Sequence, residues 1–286
     1  FIDVFPPSLP QNIQYISIEY NRLANLPPLN VYQSLKYLSL NNNCIQTVQQ
    51  FPQSLTKLLL ENNRIESITS ISLTSLPTLS MSYNNLQKVP HFTNSLITVF
   101  NGSYNKIHEI DISELSQTIT ELDLSGNNIE KLPNQLFLLP ELRNLSIFSN
   151  QITEIPIEIS VSQIQILNIS RNPIKTLPKL PQTLGLLIAH DCLFTEIPAS
   201  VASLNRIAAI DFSNNKIKSV PFLPHLESLF LSCNELTEFP VILENIREID
   251  VSHNKIKHVN INHNHMYLNE VNISNNLLES YQCQTK

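Results

Sequence analysis

Three adjacent residues, His190, Asp191 and Cys192, carry the side-chain types of a hydrolytic triad. A nucleophilic thiol needs a histidine base within hydrogen-bond reach, and that base needs a carboxylate to orient it. Adjacent side chains in an extended segment point in different directions, so we expect that these three cannot hydrogen-bond in series. The arrangement predicts no catalytic residue in this chain.

Four of the eight histidines lie close together near the C-terminal end of the sequence: His253, His258, His263 and His265. A zinc site needs three such ligands to converge at about 2.1 Å from the ion. The four are spread over a strand, a turn and a return segment, so we expect solvated histidines. With only 3 glycines and no phosphate-binding loop, the sequence predicts neither a metal nor a cofactor.

The net charge, the cysteines and the lack of a long apolar run argue against several classes of protein. A net charge of -6 argues against nucleic acid, because binding phosphates requires clustered lysine and arginine. Cys44, Cys192, Cys233 and Cys283 form no closely spaced pair, which predicts reduced thiols and a cytoplasmic protein. No apolar run approaches the roughly 18 residues of a membrane span, so we expect no membrane insertion.

A repeat runs along the whole chain. Ile119 to Pro133 reads ITELDLSGNNIEKLP and Ile164 to Pro178 reads IQILNISRNPIKTLP, and both fit LxxLxLxxNxLxxLP. The Asn of this pattern recurs at spacings of 19 to 23 residues, with one Cys in its place, at Asn21, Asn43, Asn63, Asn84, Asn105, Asn127, Asn150, Asn172, Cys192, Asn215, Asn234, Asn254 and Asn276. Such regularity predicts stacked, equivalent coils.

Each repeat contains one short strand with one apolar side and one solvent-facing side. Leu122 and Leu124 are two residues apart and point to the same side, while Glu121, Asp123 and Ser125 point to the other. A full coil separates successive strands, so they must be parallel and stack at about 4.8 Å. The repeated Asn lies where the chain turns inward, and a buried amide there must be hydrogen-bonded.

The pattern resembles the leucine-rich-repeat family, of the intracellular type with short LPxLP-like and LxLSxNxIxxLP units, across essentially the whole chain. The resemblance implies an α/β horseshoe solenoid with a parallel sheet of about 13 strands on the concave face and short 3₁₀, extended or helical-turn segments on the convex face. It also implies a structural Asn ladder in which Cys192 is an accepted substitute. Residues 1–286 are then one solenoid domain: 1–12 complete a truncated upstream repeat, 13–281 hold about thirteen repeats, and 282–286 form a tail.

The outward strand positions determine what the concave face binds. Apolar side chains group there on neighbouring strands, and we expect them to bind a partner protein inside a charged rim. The apolar residues are Phe148, Ile166, Leu186, Ile188 and Phe230, and the rim is Arg143, Arg171, Asp211 and Asp250. A secondary partner-binding cluster is Tyr15, Tyr37 and Leu59. The alternative is that strand propensity alone places these side chains outward.

We expect a non-catalytic signalling scaffold that binds a partner protein on the concave face. One alternative is the substrate-targeting region of a larger enzyme, since the units resemble those of bacterial effector ubiquitin ligases and those attached to metal-dependent serine/threonine phosphatases, kinases or cyclases in protists. Another is an extracellular ligand-sensing ectodomain, which would carry cysteine-rich caps. The ends of the solenoid look uncapped, which favours flanking sequence, end-to-end association or concave-face self-association and leaves the oligomeric state open.

Overall fold

The computed structural model describes residues 1–48, 50–68, 75–92, 95–261 and 266–283. It divides into two compact units, Phe1–Asn150 and Gln151–Lys286. The strands are short and pair in parallel within each unit, so the predicted parallel β-solenoid is confirmed. The assignment of residues 1–286 to one domain stays a prediction.

In the first unit, seven described strands of three residues form a parallel sheet: Tyr15–Ser17, Tyr37–Ser39, Lys57–Leu59, Thr78–Ser80, Val99–Asn101, Glu121–Asp123 and Asn144–Ser146. The middle residue of each strand is buried, and its neighbours face outward. Equivalent residues of successive coils pair with each other, as Phe100 pairs with Leu122. Each buried aliphatic side chain contributes roughly 1.5–3 kcal/mol, which favours this stacked arrangement.

The second unit has the same kind of parallel sheet. Its six described strands are Ile166–Asn168, Leu186–Ile188, Ala209–Asp211, Ser228–Phe230, Glu248–Asp250 and Glu270–Asn272. The middle residues of the first three strands, Leu167, Leu187 and Ile210, are fully buried. Seven strands in one unit and six in the other agree with the predicted number of about 13.

The return segments opposite the main sheets are thin and mixed, as the sequence predicts. The first unit has 3₁₀ turns at Ile112–Glu114 and Asn134–Leu138 and a small pair of strands, Thr47–Val48 with Ser67–Ile68. The second has a 3₁₀ turn at Ile157–Val161, a one-turn α-helix at Ala199–Ala202 and the strands His258–Ile261 and Ser280–Cys283. Within the described ranges, no helix has the length and apolar character needed to cross a bilayer.

Buried amides connect successive coils. The Nδ2 of Asn127 donates to the carbonyl oxygens of Leu124 and Ser125 in its own coil and of Gly102 in the preceding coil, at 3.0 to 3.1 Å. Its Oδ1 accepts the backbone N–H of Ile107 at 2.9 Å. One side chain therefore binds backbone groups of two successive coils, and it satisfies the buried N–H of Ile107.

Candidate functional site

The chain turns sharply at the residue before every ladder position. Backbone φ there lies between 52° and 64° in all thirteen coils, at Tyr20, Asn42, Asn62, Tyr83, Tyr104, Gly126, Ser149, Arg171, Asp191, Asn214, Cys233, His253 and Asn275. Left-handed backbone costs a non-glycine residue roughly 1–2 kcal/mol, and Asn tolerates it better than most. The coil imposes the turn whatever the side chain, and each such residue projects from the rim of its sheet.

Apolar side chains lie side by side on the outward face of the second unit. Ile166 pairs in register with Leu186, and Leu186 with Ala209. Ile188 lies two residues along the same strand from Leu186, and Phe230 follows two strands later. Ile166 is 39% exposed, and the other four are half-buried. These five residues are called the apolar patch.

The predicted apolar residue Phe148 belongs to the first unit, so its place in the binding surface stays a prediction. Phe148 is half-buried and lies two residues beyond the strand Asn144–Ser146. Arg143 also belongs to this unit. Its guanidinium donates to the carbonyl oxygen of Pro140 at 2.9 Å and lies 3.4 Å from the Glu141 carboxylate.

The rim residues of the second unit have partners close by. Arg171 Nε lies 3.6 Å from Asp191 Oδ2, and His190 Nδ1 lies 2.7 Å from the same oxygen. His190 and Asp191 therefore hydrogen-bond although they are adjacent in sequence, but this is one pair and not the series of three that a triad needs. Asp191 has φ 53°, which turns its carboxylate back toward the preceding residue instead of to the opposite face.

The thiol of Cys192 takes no part in this contact. Its Sγ lies 3.5 Å from the carbonyl oxygen of Ile169 and 3.6 Å from that of His190, at the ladder position, where other coils hold an Asn. Burial raises the pKa of Cys192 from 9.0 to about 11, because the thiolate is poorly solvated there. A protonated thiol bonded to backbone carbonyls is not an activated nucleophile.

Asp211 and Asp250 each have a structural contact. The Oδ1 of Asp211 accepts the backbone N–H of Ser213 at 2.9 Å, and that of Asp250 accepts the N–H of Ser252 at 2.8 Å. Such Asx turns end the strand and satisfy a backbone donor. Both carboxylates are half-buried on the outward face.

Sequence reasoning missed two carboxylates on this face. Glu248 and Glu270 occupy the outward position at the start of their strands and lie directly opposite each other in register. The alternation within the strands places both glutamates on the outward face, so the sequence carries a signal for them. Together with Asp250 they form the acidic patch, which borders the strand that carries Phe230.

The secondary cluster of the first unit is an aromatic stack. The rings of Tyr15 and Tyr37 lie 4.3 Å apart and nearly parallel, and Lys57 Nζ lies 5.6 Å from the Tyr37 ring centroid. The hydrogen bond with Tyr37 raises the pKa of the exposed Tyr15. Leu59 is half-buried on the same strand as Lys57. The structure thus gives each tyrosine a partner within the chain.

A second stack lies at the rim of the first unit. Tyr83 and Tyr104, both in left-handed turns, have ring centroids 4.5 Å apart with an interplanar angle of 6°. Tyr83 is 54% exposed and Tyr104 42%.

The described residues hold no group of three or more His, Cys, Asp or Glu side chains arranged to bind a metal. His263 and His265 lie outside the described residues. His253 Nε2 lies 3.0 Å from the amide nitrogen of Asn275. The absence of metal and cofactor stays a prediction.

Comparison with known proteins points to a repeat family. A family model described as Leucine Rich repeat matches residues 115–131. Over 271 residues the chain is 27% identical to keratocan from Danio rerio, covering 89% of this chain and 67% of keratocan. It is 28% identical over 213 residues to a probable glycoprotein hormone G-protein coupled receptor from Anthopleura elegantissima, covering 68% of this chain but only 21% of that protein.

Among solved structures, YopM, a leucine-rich effector protein from Yersinia pestis, matches with a TM-score of 0.78 at 23% identity. The match covers 96% of this chain and 81% of YopM. At this identity the likeness concerns the fold alone.

Proposed function

We propose that this chain, which is a leucine-rich-repeat protein, recognises a partner protein through the outward face of its second unit. Leucine-rich-repeat domains are generally non-catalytic modules for protein interaction. The observation that carries the proposal is the apolar patch, in which aliphatic side chains stand next to one another on adjacent strands with Ile166 39% exposed. Contiguous apolar surface of this kind marks binding sites more often than scattered single residues do.

The chemistry of the surrounding residues supports a macromolecular partner. Within the second unit, the strands that carry Leu186, Ala209 and Phe230 are hydrogen-bonded to a strand on each side, so these side chains are presented on a rigid frame. A rigid surface loses little conformational entropy on binding. Polar and charged residues surround the patch, as in the rim of a protein interface.

Photo-cross-linking tests this proposal. A photoreactive amino acid at position 188 is expected to form an adduct with a partner protein, because that side chain lies in the middle of the apolar patch. Phe222 is the matched control, since it is an exposed apolar residue on a return segment of the same unit. Adducts at both positions, or at neither, would count against a specific site.

A second measurement uses the purified chain and the cross-linked partner. We expect Leu186→Asp with Ile188→Asp to weaken binding by at least about tenfold, since hot-spot residues each contribute roughly 2 kcal/mol or more. Phe222→Asp should bind like wild type. Circular dichroism of all variants confirms that the fold is retained.

For location, we propose that the protein is intracellular. Support comes from the cysteines, because Cys44, Cys192 and Cys233 are all free thiols in the structure. Fluorescence of a full-length fusion in the native cell, compared with a secreted reference, decides this. The targeting region of a larger enzyme and an extracellular sensor stay as predictions that the full reading frame distinguishes.

A further inference from the structure

We infer that the partner segment bound by this face is basic: it places apolar side chains on the apolar patch and lysine or arginine side chains on the acidic patch. The inference rests on the proposed function and adds the chemistry of the partner. Like charges lie next to one another on the outward face of the second unit.

Glu248 and Glu270 are neighbours in register on adjacent strands. Strands lie about 4.8 Å apart, so two glutamates in this arrangement repel each other, and like charges directly opposite destabilise a sheet. Asp250 lies on the same face, two residues beyond Glu248. The three carboxylates thus form a concentrated negative surface that a cationic ligand would stabilise.

The basic side chains nearest in sequence are engaged elsewhere. Arg247 Nε lies 3.1 Å from Glu227, and Lys255 Nζ lies 3.8 Å from Glu235. Within the part of the chain that the structure describes, the Asp250 carboxylate accepts from two neutral donors, the N–H of Ser252 and the side-chain amide of Asn272 at 3.1 Å. Among the described residues, no salt bridge involves Glu248, Asp250 or Glu270.

The two patches meet on the sheet. Phe230 of the apolar patch pairs in register with Asp250 of the acidic patch, and on its other side with Asp211. From Ile166 to Glu270 the face spans five strand steps, or about 24 Å. A helix of roughly 16 residues has this length, so one segment with an apolar half and a basic half can cover both patches.

The charge pattern favours this partner over an acidic one. An acidic segment on the same apolar patch would place its carboxylates against Glu248 and Glu270, and such like-charge contacts cost several kcal/mol. Complementary charge would both orient the segment and accelerate its association.

Synthetic peptides test the inference directly. Three helical peptides of about 18 residues share one leucine-containing half, and their other half carries lysine, glutamine or glutamate. Fluorescence anisotropy with the whole chain should show at least about tenfold tighter binding of the lysine peptide than of the glutamate peptide at about 0.01 M salt. The difference should shrink at about 1 M salt, where the Debye length falls from roughly 30 Å to roughly 3 Å.

Charge reversal supplies the matched control. Glu248→Lys with Glu270→Lys should abolish the preference for the lysine peptide. Glu196→Lys with Glu238→Lys changes the net charge by the same amount, but both residues lie on exposed return segments. This control variant should keep the preference for the lysine peptide. Equal binding of all three peptides, no binding of any peptide at low salt, or the same loss in both variants would overturn the inference.

The cross-link at position 188 separates the two proposals. An adduct with a protein segment that lacks lysine and arginine overturns the basic partner but leaves the protein-binding surface intact. Absence of any adduct at position 188 counts against the protein-binding surface itself.

Discussion

The ring of Tyr104 lies against the backbone of Gly126 in the next coil, so that a Cβ on Gly126 would stand 2.6 Å from Tyr104 Cδ1. Gly126 also occupies the left-handed turn, with φ 64°. Because glycine has no Cβ, this position can adopt the left-handed backbone and also allow the aromatic ring to approach closely.

Gly126→Ala is expected to lower the free energy of unfolding by about 1–2 kcal/mol through backbone strain alone, with a further loss as the Tyr104 ring is displaced. Urea unfolding measures the change. Gly185→Ala is the matched control, because its added Cβ would meet only backbone oxygens at 3.7 Å. If both variants unfold alike, neither the left-handed backbone of Gly126 nor its contact with Tyr104 contributes to stability.

Asn127→Leu should be among the most destabilising single changes in the first unit. It removes four hydrogen bonds to backbone groups. The N–H of Ile107 is then left buried without its acceptor, at a cost of roughly 1–3 kcal/mol, whereas the three carbonyl oxygens each keep one other donor. Thermal unfolding compares it with Asn128→Leu, an exposed neighbour at which we expect a change within about 0.5 kcal/mol. A small effect at Asn127 would contradict the amide's role in joining coils.

Cys192 should resist alkylation in the folded protein at pH 8, because its thiol is buried and its pKa is raised to about 11. The exposed Cys233 should react readily under the same conditions. Iodoacetamide labelling followed by peptide mass spectrometry measures both sites, and denaturant should equalise them. Rapid labelling of native Cys192 would contradict its burial.

The raised pKa of Cys192 also predicts a pH dependence of stability. The folded state holds the proton more tightly than the unfolded state, so the stabilisation is complete below pH 9 and is lost as pH rises toward 11. Cys192→Ser should show a smaller loss over this window when urea midpoints are compared. Identical pH profiles would mean that another group governs alkaline unfolding.

Asp211→Asn separates the structural role of this residue from its charge. The amide retains an oxygen that can accept the Ser213 N–H, so stability should change little, whereas Asp211→Ala should lose about 1 kcal/mol. Chemical denaturation of the two variants makes the comparison. Equal destabilisation by both would show that the negative charge, and not the Asx turn, stabilises the strand end.

The sequence by itself determined the repeat, the spacing of the amide positions and the alternation that buries Leu122 and Leu187. These features are local and periodic, and each follows from placing apolar side chains on one face of a strand. The parallel pairing follows equally, because a whole coil separates equivalent strands.

Only the tertiary structure decided the conformation of the turn before each amide. Local propensity favours Gly or Asn there, yet Tyr83, Arg171 and Asp191 adopt the same left-handed backbone. Closure of the coil overrides the preference of the single residue. It thereby turns Asp191 toward His190 within one coil. The repeat aligns Tyr83 with Tyr104 in successive coils, but only the turned backbone brings their rings into a stack.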